Sequence, residues 1–247
     1  MFSKEKSIII FIVALTPLAI ASVVWALMGI TAEKIDAGVI TLGVLTIFCS
    51  CYLRIQLPRV NIHLTISDGL IILSMLLYGG EIALLLAVIE TIIASVNILR
   101  QGVTIKPKTI LVNAYFAAVS VFATTKAVGW IFGSTELIRQ RNDLTSLVWL
   151  VALMALSLFL VNSVLVAIFS SLKRDESVWK VWSDNFFSAV TMYLTGAVVA
   201  GITYKALDQV NIFLVAAVVG FFGVVYLTFR HFVDDIKTTI EKAKQAE

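Results

Sequence analysis

The chain has 247 residues, 60% of them hydrophobic and 14% charged, with a formal net charge of +3. A soluble domain of this length lacks the interior to hide so much apolar surface, so the composition points to a chain solvated by lipid. The small net charge gives no footing for nucleic acid. The two cysteines, Cys49 and Cys51, stand two apart in one apolar run; on a helix they face different ways, which disfavours an internal disulfide.

A bilayer crossing needs about 20 apolar residues. In chain order, the runs 7–30, 36–54, 62–79, 81–99, 109–132, 145–172, 185–206 and 210–230 predict an all-α, polytopic transmembrane bundle of about eight spans. The first run follows Lys4 and Lys6 but is longer than a signal-peptide core, so it reads as a retained anchor helix. The third run is the weakest: its apolar part, Leu70 to Tyr78, is short, and a full span must take in His63 and Asp68. Gly79 and Gly80 mark a tight turn after it, and Pro107 suits a first helical turn. Residues 173–184 mix charges with Val178, Trp179 and Trp182, as in a short helix lying in the membrane interface. The transmembrane domain is expected over 1–230. Residues 231–247, with Phe232, Ile236, Ile240 and Ala243 on one stripe, are expected to form a cytoplasmic linker helix running on from the last span.

The loops fix the expected orientation. An inside N-terminus puts Lys4, Lys6, Arg54, Arg59, Arg100, Lys106, Lys108, Lys173, Arg174, Lys180 and the basic residues after Phe229 on the cytoplasmic side. Lys34, Arg139, Arg141 and Lys205 fall outside, which is the bias expected of an inner-membrane protein with both termini in the cytoplasm.

No phosphate loop, metal-ligand cluster or nucleophile elbow stands out, and neither His63 nor His231 has an evident companion; neither an enzyme nor a bound cofactor is expected. The candidates are polar residues inside spans, which are expensive in lipid and normally face a cavity or a partner. Glu90 lies roughly 13 Å and Lys126 roughly 10 Å below the outer ends of consecutive spans, counting 1.5 Å per residue. That depth match allows a buried pair in an outer cavity, or a structural pair, or a snorkelling Lys126. Asp68 opens the third span and suits a helix cap as well as a site. Asn113, Asn162, Asn185 and Tyr193 can line the same interior or bond between helices. Gly196, Ala200, Ala216 and Gly220 are small residues at four-residue spacing, suited to close helix packing within the bundle or across a homodimer.

The stretch Leu57 to Glu81, with its Pro58-Arg59 segment, Ile66-Ser67-Asp68 element, apolar helix and Gly-Gly turn, resembles the N-terminal multi-span sensor region of bacterial proteins carrying a cytoplasmic GGDEF or HD-type domain for cyclic di-nucleotide turnover. The run from the last span into Phe229-Arg230-His231-Phe232 resembles their linker to the output domain. The resemblance implies signal input, with catalysis in an output domain absent from these residues. The same Ser-Asp-Gly element is also similar to substrate-binding subunits of energy-coupling-factor vitamin transporters, although there the preceding loop faces outside while the charge count puts Arg54 and Arg59 inside. A sensory, signal-transmitting domain bound to the bilayer and to a small-molecule ligand is the first expectation; a transporter or its substrate-binding subunit is the second.

Overall fold

The computed structural model describes residues 4–52, 54–56, 63–65, 67–103, 106–133, 143–186 and 189–207. Helix α1 (Lys4–Gly29) is apolar on every face and carries Pro17 in its interior. A single 3₁₀ turn (Ala32–Lys34) leads to α2 (Ala37–Tyr52), whose first turn is capped by the Asp36 carboxylate accepting from the Val39 N–H. Two three-residue strands follow, β1 (Arg54–Gln56) and β2 (His63–Thr65), paired antiparallel with Ile55 opposite Leu64. Next come α3 (Ser67–Tyr78), α4 (Gly80–Arg100) and α5 (Pro107–Phe132). The series ends with α6 (Leu144–Arg174), the short α7 (Val178–Phe186) and α8 (Ala189–Leu207).

Four helices, α1, α4, α5 and α6, are long and apolar enough to cross a membrane. The protein is therefore membrane-embedded, and its described residues are helical apart from the β1–β2 ribbon, which an all-α reading does not anticipate. The third expected span is corrected. Its helix starts only at Ser67, because the residues taken to extend it, His63 to Thr65, are paired with β1. Twelve residues make a helix about 18 Å long, well short of a hydrocarbon core of about 30 Å. Helix α7 also begins later than the expected 173–184 segment, because α6 runs on to Arg174 and is closed by Asp175 in a left-handed conformation.

Around an apolar core, the outer surface is itself rich in large apolar side chains and several hydroxyls are enclosed. Ile10, Val13, Val24, Val44, Phe48, Val148 and Val198 are exposed, whereas Ser22, Thr46, Ser67, Ser74, Ser120 and Thr124 are almost wholly enclosed. Many hydroxyls bond the carbonyl one turn back, as Ser22 does to Leu18 and Thr124 to Ser120, the local solution for a polar side chain that lipid cannot solvate. α3 is the innermost element: Ile71, Ile72, Leu73, Ser74, Met75 and Leu76 are all buried in sequence, as a helix enclosed on every side requires. It packs against α2, α4 and α8, while α5 packs between α4 and α6 and α1 lies across α4, α5 and α6. Phe11, Phe116 and Phe169 join α1, α5 and α6 with ring centroids 5.8–6.3 Å apart.

A glycine turn and a close backbone approach set this packing. Gly79, at φ 91°, turns the chain from α3 straight into α4, a conformation that suits glycine. Where α3 crosses α8, a Cβ on Gly69 would lie 2.9 Å from the Gly196 carbonyl oxygen, so the two helices touch backbone to backbone.

The ends of the bundle differ. Arg100, Pro107, Arg174, Val178 and Ala189 mark one end, since each closes or opens a helix there. Lys4 is drawn to the same end by a 3.2 Å ion pair with Asp175, and Lys106 lies within electrostatic reach of Lys173. The opposite end holds Gly29, Gly79 and Phe132.

Candidate functional site

α3 and α4 fold back on each other from Gly79, so the start of α3 meets the middle of α4. There the Ser67 hydroxyl donates to Glu90 Oε1 at 3.2 Å, and the Thr91 hydroxyl donates to Oε2 at 3.2 Å. Glu90 is buried. The neighbouring residue, Asp68, is close enough for its carboxyl to feel the Glu90 charge and to lie within reach of the Tyr193 hydroxyl. Tyr193 comes from α8, brought in by the Gly69–Gly196 crossing one turn away. On its other side Tyr193 accepts a 3.0 Å hydrogen bond from Asn162 Nδ2 of α6. The Phe159 ring meets Tyr193 edge-on at 5.4 Å.

These groups surround a cavity of about 360 Å³. Asp68, Glu90, Asn113, Asn162 and Tyr193 all line it, one from each of α3, α4, α5, α6 and α8. Ser67 and Ser120 add hydroxyls, and Phe116, Phe159 and Phe186 add rings. Among the described lining residues none is basic. Among the described residues there is also no cluster of His, Cys, Asp and Glu that could hold a metal ion.

Lys126 is placed elsewhere. Its ammonium sits 4.4 Å above the Trp25 ring and 5.2 Å from that of Phe122, on an exposed face of α5. The Glu90–Lys126 pair inferred from equal depth does not form. Asn113 and Tyr193 lie only about 9 Å and 6 Å in from the starts of α5 and α8, so the cavity reaches from the bundle's middle toward its basic end. A larger hollow of about 700 Å³ at the opposite end is bordered by Asp36, Tyr78, Glu81 and Thr125, and contains neither Glu90 nor Lys126.

Gly196 and Ala200 pack inside the bundle. Ala216, Gly220, Ile236 and Ile240, the expected eighth span and the linker helix lie outside the described residues, as does the side chain of Asn185. Ser120 escaped the sequence reading because a serine in an apolar run carries no signal of its own. Its spacing of seven from Asn113, two helical turns on one face, is the clue that was there to be used.

The cavity is tied to the short helix α7. Trp182 of α7 donates its indole N–H to the Ser163 hydroxyl at 2.9 Å, and Ser163 lines the cavity. Trp179, largely exposed, stacks on Trp182 at 5.5 Å.

Compared with known proteins, the chain matches no family model, no curated protein and no solved structure.

Proposed function

We propose that this chain is a membrane-embedded sensory domain that takes a small-molecule ligand into its central cavity and passes the change to a cytoplasmic output through its C-terminal segment. The observation that supports the reading is the five-helix lining of a polar cavity, with one hydrogen-bonding or charged side chain contributed by each helix. A ligand shifts a packing equilibrium only by its differential affinity for the two arrangements. A group contacting five helices at once is well placed to have such a difference. In this reading the protein lies in a bacterial inner membrane with both termini in the cytoplasm, acts as a homodimer, and is not itself an enzyme. The crowding of basic residues at one end supports that orientation.

The test is a fusion of a reporter output after Glu247. Asp68→Asn and Asn162→Leu should each change basal output or its response to cell extracts, while Lys126→Ala should not. Output indifferent to both cavity substitutions, at equal membrane abundance, would remove the cavity from signalling.

One observation favours a second reading, a transporter or its substrate-binding subunit: α3 is a short helix that starts within the bundle beside a polar cavity, and interrupted helices of this kind line transporter sites. Uptake of a labelled solute into vesicles containing only this chain, or with a partner ATPase, would favour that reading over the first.

A further inference from the structure

We propose that the ligand of this cavity is a small organic cation, with a protonated amine seated on the Asp68 carboxyl and its carbon skeleton held against Phe159 and Phe116. This rests on the sensory reading above and names the ligand class for the same site.

Charge is the first argument. Asp68 and Glu90 line one cavity, and no described lining residue carries a positive charge. Carboxylates withdrawn from water into a membrane bundle are expensive unless a cation or strong donors meet them. Glu90 already takes a hydroxyl donor on each oxygen. Asp68 has the Tyr193 hydroxyl beside it, and that hydroxyl accepts from Asn162, which leaves its own proton free to turn toward the carboxyl. One neutral donor does not saturate a carboxylate, which offers about four lone-pair sites.

The second argument is independent of the acids. Ser120 is among the residues lining the cavity and is 1% exposed, and its Oγ has no hydrogen-bond partner among the described residues. A buried hydroxyl without a partner, on a residue that borders a cavity, calls for one. Asn113 lies two turns earlier on the same helix and also lines the cavity. An ammonium, with several N–H donors and no acceptor, can satisfy the Asp68 carboxylate, the Ser120 hydroxyl oxygen and an amide oxygen together. An anion would meet the carboxylates with repulsion.

Size and lining complete the case. A volume of about 360 Å³ lies at the small end of ligand pockets and is many times the ~30 Å³ share of one water. A bare metal ion would leave most of it unfilled. The aromatic wall of Phe116, Phe159 and Phe186 suits methylene groups and the face-on approach of a cation.

The experiment uses the purified full chain in nanodiscs and three probes of one length: 1,4-diaminobutane, 1,4-butanediol and succinate. Binding is read by calorimetric titration and by the shift in thermal midpoint, which rises with concentration for any ligand that prefers the folded state. The diamine should bind and stabilise, whereas the diol and succinate should not. Asp68→Asn should weaken the diamine about tenfold or more. Ser120→Ala, a milder change that keeps the fold, should weaken it measurably, and Lys126→Ala should leave it unchanged. Equal binding of diol or succinate, or no diamine binding, would overturn the cation. So would a diamine affinity untouched by both Asp68→Asn and Ser120→Ala. Each of those failures leaves the sensory reading to the reporter fusion, which does not depend on probe charge. Titrating with and without phosphatidylethanolamine separates two sources of the same chemistry. Diamine binding suppressed by that lipid would assign the site to a headgroup amine, and binding indifferent to it would assign a soluble one.

Discussion

Glu90 and Lys126 are both charges inside apolar runs, yet their surroundings differ completely. Glu90 accepts the Ser67 hydroxyl within the bundle, while Lys126 rests its ammonium on Trp25 at the periphery. Glu90→Ala should therefore destabilise the protein by about 1–3 kcal/mol, the usual penalty for stranding buried donors, and Glu90→Gln, which keeps an acceptor, should lose less. Lys126→Ala should lose no more than about 1 kcal/mol. Denaturant or thermal unfolding in one detergent checks the ranking, and an equal loss for Glu90→Ala and Lys126→Ala would contradict it. The same pair shows how much of the site was legible. An acid in the run Ala-Val-Ile-Glu-Thr-Ile-Ile signals its own importance, and counting residues gives its depth. Counting does not give rotation about the helix axis. Lys126 stands two residues, about 200°, from Thr124 on the buried stripe of α5. Its depth matched Glu90, but its direction did not.

At the level of helices, the crossing of α3 and α8 is the most sensitive joint. A Cβ on Gly69 would press on the Gly196 carbonyl at 2.9 Å, and one on Gly196 would lie 3.2 Å from the Gly69 Cα. Backbone cannot move aside as a side chain can, so Gly69→Ala and Gly196→Ala should each destabilise by about 1–3 kcal/mol. They should also disturb ligand response, because Asp68 and Tyr193 are set by this crossing. Gly129, a helical residue with nothing within 4 Å of its would-be Cβ, supplies the control: Gly129→Ala should be neutral or stabilise by up to about 1 kcal/mol. Thermal midpoints of the three variants test the contrast. Small-residue spacing in the sequence does pick out Gly196. The partner it meets is Gly69, in a helix of the same chain, which a spacing rule cannot reveal. The long helices were readable from hydropathy almost to the residue: α4 extends one residue beyond the expected run at each end, and α5 starts at its proline. The β1–β2 ribbon was not readable, because three residues per strand are too few to display a two-residue period.

Across the whole molecule, charge and burial are both polarised. Many large apolar side chains face outward, several hydroxyls are enclosed within the apolar core, and Lys4, Arg100, Lys106, Lys173 and Arg174 gather at one end. In a cell membrane, single cysteines introduced at Lys108 and Glu33, after Cys49 and Cys51 are replaced, should react with an impermeant maleimide from opposite faces. Labelling of both from one side would contradict the through-membrane arrangement. The hydrogen bond from Trp182 to Ser163 has an optical consequence. Indole emission shifts with the polarity and bonding of its surroundings, and this indole is fastened to a residue that borders the interior space. Filling that space should alter the colour or brightness of the protein's own ultraviolet fluorescence, and Trp182→Phe should abolish the change while Trp130→Phe, on an exposed face, should not. Such a change would make this indole a built-in gauge of occupancy that needs no added dye.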